Sequence, residues 1–507
     1  MRLDELTAGT AVAAGDLGAV ADVEITGLAY DSRAVRGGEL FFCVSGFERD
    51  GHDFAPQAVA QGAAALVVER PLGLGVPEVP VASARAAMAP IAARFYGRPT
   101  AELRVVGVTG TNGKTTTAYL VRALLEAAGE QCGLLGTVKS VVGGVERAVQ
   151  RTTPEAIDLQ RTFREMLDGG DRACAMEVSS HALELGRAEE IEFAAAVFTN
   201  ISRDHLDFHE TMEDYFLAKR RLFVEHAPGV SVVNVGDAYG RRLAAELEAA
   251  RTFAVQAPAD FSASDLRCDF AGCTFTLRTP SVTRELRLPM PGRFNVANAL
   301  GALAVAHELL GAERLEELLA ALERGVHVPG RFEPVDEGQE FAVLVDYAHT
   351  PDSLENVLAA ARGLVEAGER PRARVVCVFG AGGDRDRGKR PLMGEIATRL
   401  ADVVLVTSDN PRSEDPEQII AEIMAGVARA EGGGRRPAGA AGATPVRSIA
   451  DRARAIDEAI AAAEPGDVVV IAGKGHEQGQ ELAGGRKVPF DDATVAREAL
   501  RVRRGGS

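Results

Sequence analysis

Apolar residues along this chain fall into short continuous runs separated by turn residues and by stretches of helical spacing, and this rhythm restarts twice. Residues 1–100 carry the runs LFFCVSG and AAALVVERP between turns, which predicts a small α/β domain. The stretch YGRPTAEL around Pro99 reads as a linker. In residues 101–330 the apolar run Leu103 to Val108, then CAMEVS, AAAVFTN and VSVVNV read as buried strands, while MEDYFLAKRRLFVEH and NVANALGALAVAHELLG read as helices. Thr252 to Leu288 alternates, as in FTLRT and LRLP, which predicts an antiparallel hairpin region. Residues 331–507 restart at VPGRFE: FAVLVDYAH, a helix from Ser353, RVVCVFG, a helix from Pro391, DVVLVTSDN, a helix from Pro416, and DVVVIAGKG. Continuous apolar strands alternating with helices imply an α/β fold with mainly parallel sheets covered on both faces. The third segment reads as a doubly wound, Rossmann-like sheet with a motif after each strand, where such sheets bind ligands.

Composition narrows the function. At 507 residues the chain exceeds one core. No apolar stretch approaches the ~18 residues of a spanning helix, and the first twenty residues carry acidic groups instead of a signal-peptide pattern. A net charge of −17 argues against general nucleic-acid binding, although Arg385, Arg387, Lys389 and Arg390 form a local positive cluster. The cysteines Cys43, Cys132, Cys174, Cys268, Cys273 and Cys377 are scattered, and the closest two, Cys268 and Cys273, lack a second pair for a zinc site. They read as buried free thiols of a cytoplasmic protein. EGGGRRPAGAAGAT, from Glu431 to Thr444, reads as a mobile surface loop.

The chemistry starts at GVTGTNGKTTT, Gly107 to Thr117, after the first strand of the second segment. A strand that ends in a glycine-rich turn and opens a helix aims backbone N–H groups at a phosphate. Lys114 adds a movable cation and Thr115 a hydroxyl suited to Mg²⁺. The strict phosphate-loop pattern fails, because Val108 stands where its first glycine belongs. MEVSSHAL and TNISRDHLDFH follow further strands and supply Glu177, Ser179, His181, Asp204, His205 and Asp207, the carboxylate and imidazole groups that phosphoryl transfer with Mg²⁺ uses. Taken singly, such residues equally suit helix caps or a core histidine, and Lys219 in YFLAKRRLF reads as a helix-surface lysine. In the third segment, Arg385, Asp409, Asn410 and Arg412 offer both charge signs, which suits a zwitterionic ligand.

Taken in order, GVTGTNGKTTT, TTPEAIDLQ, MEVSSHAL, FTNISRDHLDFH, AKRRLF, PGRFE, DYAHTPD, FGAGGDRDRGKRPLM, DNPR and GKGHE resemble the Mur ligases of peptidoglycan synthesis. The likeness covers nearly the whole chain, including DSRAVRGGELFFCVSG, and the family's loop TGTNGKT accounts for the failed strict pattern. It implies three domains, at 1–100, 101–330 and 331–507, for a uridine nucleotide, ATP and an amino acid. It implies that Asp31, Ser32 and Arg33 sit by the uridine, and that Thr152, Thr153, Ser179 and Arg187 hold the rest of a UDP-N-acetylmuramoyl-L-alanyl-D-glutamate substrate. Gly110, Thr111, Asn112, Gly113, Lys114, Thr115 and Thr116 would hold ATP, with Asn295, Asn298, Arg331, Asp346 and His349 lining the nucleotide. Thr115, Glu177, His205 and Lys219 would serve Mg²⁺, with Lys219 carbamylated because a bare ammonium repels the ion.

Arg385, Asp409, Asn410, Arg412, Gly473 and Glu477 match contacts to the added amino acid, and DNPR goes with meso-diaminopimelate over L-lysine in this family. With lysine, Arg412 would be left unpaired, a loss of about a few kcal/mol. The resemblance thus implies an ATP-driven, ADP-forming amide ligation in a cytoplasmic, monomeric enzyme. L-lysine ligation, folylpolyglutamate synthesis and an ATP-binding scaffold are the rivals. The DSR segment and DNPR disfavour folylpolyglutamate synthesis, and the joint presence of Glu177, His205 and Lys219 disfavours the scaffold. Two features depart from the family: Leu185 where a polar residue is usual, and the long Gly-rich stretch after Ala430.

Overall fold

The computed structural model describes residues 1–10, 22–46, 49–206, 208–368, 370, 372–432 and 444–505. Asp207 and most of the Gly-rich stretch, 433–443, lie outside the described residues. The chain divides into two compact units: one of Met1–Thr109, Gly129–Val197 and Leu217–Ser231, the other of Gly110–Ala128, Phe198–Phe216 and Val232–Ser507.

The first unit opens with a four-stranded parallel sheet in sequential order, Gly27–Ala29, Glu39–Phe42, Ala65–Val68 and Glu78–Pro80. The strands are apolar on both faces because each face is covered. Leu40, Phe42 and Val67 pack on Met88 and Ile91 of the helix Ala84–Phe95, while Phe41, Leu66 and Val68 pack on Ala55 and Ala58 of Ala55–Ala60. The rest of this unit holds Arg104–Thr109 parallel to Ala173–Glu177, which is parallel in turn to Cys132–Leu135. Val108, the residue that broke the phosphate-loop pattern, is fully buried in its strand, and the turn begins only at Gly110.

In the second unit Phe261–Asp269, Gly272–Arg278 and Thr283–Leu288 form an antiparallel meander, as their alternation predicts. The expected hairpin region began too early, because Arg251–Val255 runs parallel to Phe261–Asp269 and to Val232–Asn234. The expectation of free thiols also fails at one pair. Cys268 and Cys273 face each other in register across the turn at Phe270–Ala271, with Cα atoms 4.0 Å apart, and are disulfide-bonded. The other four cysteines are free and buried.

The same unit holds a sheet of Ala342–Asp346, Val468–Ala472, Val375–Phe379, Val403–Val406 and Val446–Ser448 in that spatial order, all parallel, with Glu333–Pro334 antiparallel at one edge. Pro351–Ala367, Lys389–Leu400 and Pro416–Gly432 cover one face, and Arg452–Ala462 and Asp492–Gly505 the other. The first of these helices starts at Pro351, two residues before the expected Ser353, because the Thr350 hydroxyl caps the Ser353 N–H and proline suits the first helical position. Lys389–Leu400 likewise starts before Pro391, which falls in its first turn.

Arg452 and Asp492 join two helices on one face through a fully buried bidentate pair, with both N···O distances 2.7 Å. Arg452 also donates to the carbonyl of Ala472 at the end of a central strand (3.0 Å). Asp492→Ala leaves that guanidinium buried without its carboxylate, so urea unfolding is expected to show a loss of ~3–5 kcal/mol. A loss below about 1 kcal/mol would contradict this role. Among the described residues no helix is long and apolar enough to cross a membrane.

Candidate functional site

In the first unit the candidate groups gather at the carboxyl end of Ala173–Glu177. Glu177 is 1 % exposed, and its carboxylate accepts from the backbone N–H (2.7 Å) and the hydroxyl (3.1 Å) of Thr137. The Thr137 hydroxyl lies 3.0 Å from that of Thr152. Thr153 donates to the Glu177 carbonyl (2.8 Å) and accepts from the Ser179 N–H (3.1 Å), and Ser179 caps the helix Ser180–Glu184. These threonines therefore lock the strand end to the TTPE segment.

Arg187 donates to the Thr153 carbonyl and pairs with the buried Glu155 at 3.0 Å. Arg85 and Arg151 reach the same carboxylate, at 3.2 and 2.6 Å. Burial pulls Arg187 below the usual arginine range, helped by the other two arginines and opposed by Glu155. Three guanidinium groups on one carboxylate leave a net positive pocket fit for an anion. Sequence reasoning found Arg187 and missed Arg85 and Arg151, because only the fold brings residues 85, 151 and 187 to one point. Leu185 ends the short helix and is half-buried.

Lys219, on the helix Met212–Val224, is 1 % exposed. The expectation of a surface lysine is thereby overturned. Nearer the N-terminus, Asp31 and Arg33 pair with each other at 2.7 Å, and the buried Ser32 donates to Gln57 at 3.0 Å.

The second unit contains the glycine loop and the helix it opens, Lys114–Ala127. Gly110 and Gly113 both have positive φ, and a Cβ on them would lie 1.9 Å from Thr199 Oγ1 and 2.3 Å from Asn298 Oδ1 respectively. Only glycine allows so close a fit. Thr199 and Asn200 clamp the loop through the Asn112 carbonyl (2.6 and 3.0 Å), and the Asn112 N–H donates back to Asn200 Oδ1 (3.0 Å). Lys114 Nζ folds onto the carbonyls of Gly110 (3.0 Å) and Thr111 (2.7 Å). Thr115 and Thr116 are buried, and Arg331 donates to the Thr115 hydroxyl at 3.1 Å while lying over the Tyr347 ring. Asn298 and Asn295 are buried side by side and bonded to each other, the latter donating also to the Pro291 carbonyl (2.8 Å). Asn298 Oδ1 also accepts from the Thr117 hydroxyl (3.4 Å), on the helix that the loop opens.

Asp346 accepts from the backbone N–H groups of Phe332 (2.6 Å) and Ala348 (2.8 Å), yet burial pushes its carboxyl up to about 6. His349 is bonded to the Tyr347 carbonyl, and burial lowers its pKa. Burial also raises Asp204, but the positive charges of His205, His349 and Lys114 outweigh it and hold the carboxyl below its usual range. His205 adopts a left-handed conformation next to Asp204, at 3.4 Å. Asp352 carried no role in the sequence reading. One of its oxygens accepts from Asn112 Nδ2 (2.6 Å), Ser202 Oγ (2.7 Å) and Asn356 Nδ2 (3.1 Å), which ties the glycine loop to the helix Pro351–Ala367. In the sequence its place near the helix start resembles an ordinary cap.

At the carboxyl edge of the Rossmann-like sheet, Asp409 and Asn410 are buried. Asn410 donates to Glu477 (2.8 Å) and accepts from Lys474 Nζ (2.9 Å), and that fully buried ammonium also pairs with Glu477 at 3.0 Å and lies 3.6 Å from Asp409. Lys474 sits inside the quoted GKGHE but was not singled out. Gly473, at positive φ, passes close to Asp409 Oδ2 and Arg452. Asp409 Oδ1 is buried without a hydrogen-bond partner and faces the Lys474 ammonium at 3.6 Å. Arg385 is exposed and bonded to the Asp384 carbonyl, whereas Arg390 is fully buried and ties Gly382 to Glu414 and Glu422. The expectation that Arg412 would lack a carboxylate unless the ligand supplied one fails: its Nε donates to Glu481 at 3.1 Å.

Among the described residues no group of three or more His, Cys, Asp or Glu is arranged to hold a metal. The donor types nevertheless fit Mg²⁺: Glu177 is a carboxylate, Thr115 a hydroxyl, and Lys219 becomes an anionic oxygen ligand once carbamylated.

The chain matches three family descriptions in succession: Mur ligase family, catalytic domain, over 24–96; Mur ligase middle domain over 108–306; and Mur ligase, glutamate ligase domain, over 330–475. It is 47% identical over 491 residues to the UDP-N-acetylmuramoyl-L-alanyl-D-glutamate–2,6-diaminopimelate ligase of Geobacillus kaustophilus, covering 95% of this chain and 96% of the relative. The chain belongs to the Mur ligase family. A second Mur ligase with that name, from Synechococcus elongatus, is 47% identical over 96% of both chains. A solved structure of a ligase so named superposes with a TM-score of 0.67 at 33% identity, covering 99% of each chain. This Mur ligase therefore matches these relatives along nearly their whole length.

Proposed function

We propose that this Mur ligase is the ATP-dependent enzyme that joins meso-2,6-diaminopimelate to UDP-N-acetylmuramoyl-L-alanyl-D-glutamate, forming ADP and phosphate in cytoplasmic peptidoglycan precursor synthesis. The observation that carries the reading is a mixed-charge cluster of the buried Asp409, Asn410 and Lys474 with the half-buried Glu477, beside Arg412 and in the same unit as a glycine loop built for phosphate. The division into three domains, at 1–100, 101–330 and 331–507, is supported by the succession of the three family matches.

In the first step the D-glutamyl γ-carboxylate attacks the γ-phosphorus of ATP. The bond to the β–γ bridging oxygen breaks and ADP leaves an acyl phosphate. The diaminopimelate amine then attacks the acyl carbon, loses a proton, and phosphate departs as the amide forms. Lys114 swings from the loop carbonyls to neutralise charge on the transferring phosphoryl group. Asn295, Asn298, Arg331, Asp346 and His349 line the nucleotide. Ser32, Thr152, Thr153, Ser179 and Arg187 hold the UDP substrate, the positive cluster around Glu155 answering its negative charge. Arg385, Asp409, Asn410, Arg412, Gly473 and Glu477 hold the amino acid, the carboxylates taking ammonium groups and Arg412 the distant carboxylate. Thr115, Glu177, His205 and a carbamylated Lys219 would serve Mg²⁺, which would supply charge neutralisation on the phosphates. The enzyme acts as a monomer.

Phosphate release measured with each component omitted in turn tests this reading. Release is expected only with ATP, the UDP-dipeptide and diaminopimelate together, and release without either acceptor would refute it. Asp352 adds a further expectation. Asp352→Ala should lower kcat about tenfold by freeing the loop, and Asp352→Asn, which keeps an acceptor, should retain most activity. Equal loss in both variants would speak against a positioning role.

A further inference from the structure

The residue that reads the second carboxylate already holds a carboxylate of the protein. Arg412 Nε donates to Glu481 Oε2 at 3.1 Å, and Nη1 donates to the Gly383 carbonyl at 2.6 Å. The main chains are also joined: the Arg412 N–H donates to the Glu481 carbonyl (3.1 Å), and the Glu481 N–H donates to Asn410 Oδ1 (3.0 Å). Glu481 belongs to a separate two-stranded hairpin, Gly479–Leu482 with Arg486–Pro489. Both side chains are partly exposed, at 22% and 34%, so the pair lies at the rim of the amino-acid pocket beside the buried Asp409 and Lys474.

We infer that Glu481 sets specificity: its carboxylate satisfies one side of the Arg412 guanidinium and so weakens the preference for a diamino acid with a second carboxylate over one without it. The inference rests on the ligation proposed above. Two physical effects act in the same direction. Rejection of an analogue that lacks a group is strong when a protein group is left unpaired, and with Glu481 in place Arg412 keeps a partner whichever amino acid binds. A second carboxylate arriving at Arg412 also meets the negative charge of Glu481 at close range, which opposes the diacid alone. The main-chain bonds of Glu481 to Arg412 and Asn410 do not depend on its charge, so a neutral side chain here leaves the hairpin docked.

The test compares kcat/KM for meso-diaminopimelate and L-lysine in the full chain and in Glu481→Gln, which keeps an acceptor for Nε and removes only the charge. The variant is expected to raise kcat/KM for diaminopimelate about threefold, to lower that for lysine, and so to increase the ratio about tenfold. KM for ATP should stay within about twofold, because the nucleotide loop is untouched. Should Glu481→Gln melt early, Glu481→Thr gives the same comparison, as β-branched residues suit the strand. An unchanged or smaller ratio in a folded variant overturns the inference alone. Failure of the unaltered chain to ligate diaminopimelate overturns the proposed function, and this inference with it.

Discussion

Lys219→Ala is expected to abolish ligation, with kcat reduced at least about a hundredfold, and to recover in part when a short carboxylic acid is added. The side chain is 1 % exposed on the helix Met212–Val224. As a carbamate it becomes an anionic oxygen donor that matches the preference of Mg²⁺. Alanine removes the ligand and leaves a gap of about its length, into which acetate or propionate can bring a carboxylate. A melting curve run alongside separates loss of the ligand from loss of the fold. Full activity in a folded Lys219→Ala protein would refute the metal-site reading.

The second large effect is expected at Lys114. Its ammonium rests on the carbonyls of Gly110 and Thr111, within reach of any phosphate seated on the loop N–H groups. Lys114→Ala should lower kcat about a thousandfold, because charge on the transferring phosphoryl group loses its nearest protein cation. KM for diaminopimelate should change little, as the amino-acid pocket has its own lysine, Lys474. Steady-state phosphate release with each substrate varied separately distinguishes the two parameters. A kcat within about tenfold of the parent would contradict this role for Lys114.

The strands were legible because they are apolar throughout, and the glycine loop because its turn admits little else at Gly110 and Gly113. What escaped depends on register and on contacts between distant segments. The parallel pairing of Arg251–Val255 is not encoded in its own alternation. The Cys268–Cys273 bond follows from the placement of one turn. Helix starts shifted by two residues because capping by Thr350 and the tolerance of proline in a first turn override a plain reading of the apolar spacing.

At the site, contacts between distant segments add residues that the motifs alone do not single out. Asn295 and Asn298 are bonded to each other, and Asn295 also to the Pro291 carbonyl. Asp352 and Lys474 lay inside recognised motifs, yet only the fold shows one oxygen of Asp352 gathering three donors and Lys474 bridging Asn410 and Glu477. Glu481 carried no signal at all, because its meaning lies entirely in its distance from Arg412.

The central claim is that one pocket selects the amino acid to be ligated. The most direct measurement offers the full chain ATP, Mg²⁺, UDP-N-acetylmuramoyl-L-alanyl-D-glutamate and a panel of amino acids, and identifies the products by mass. The account predicts the diaminopimelate tripeptide as the dominant product, with lysine well behind. Equal yields from lysine and diaminopimelate, or no ligated product from any amino acid, would contradict it.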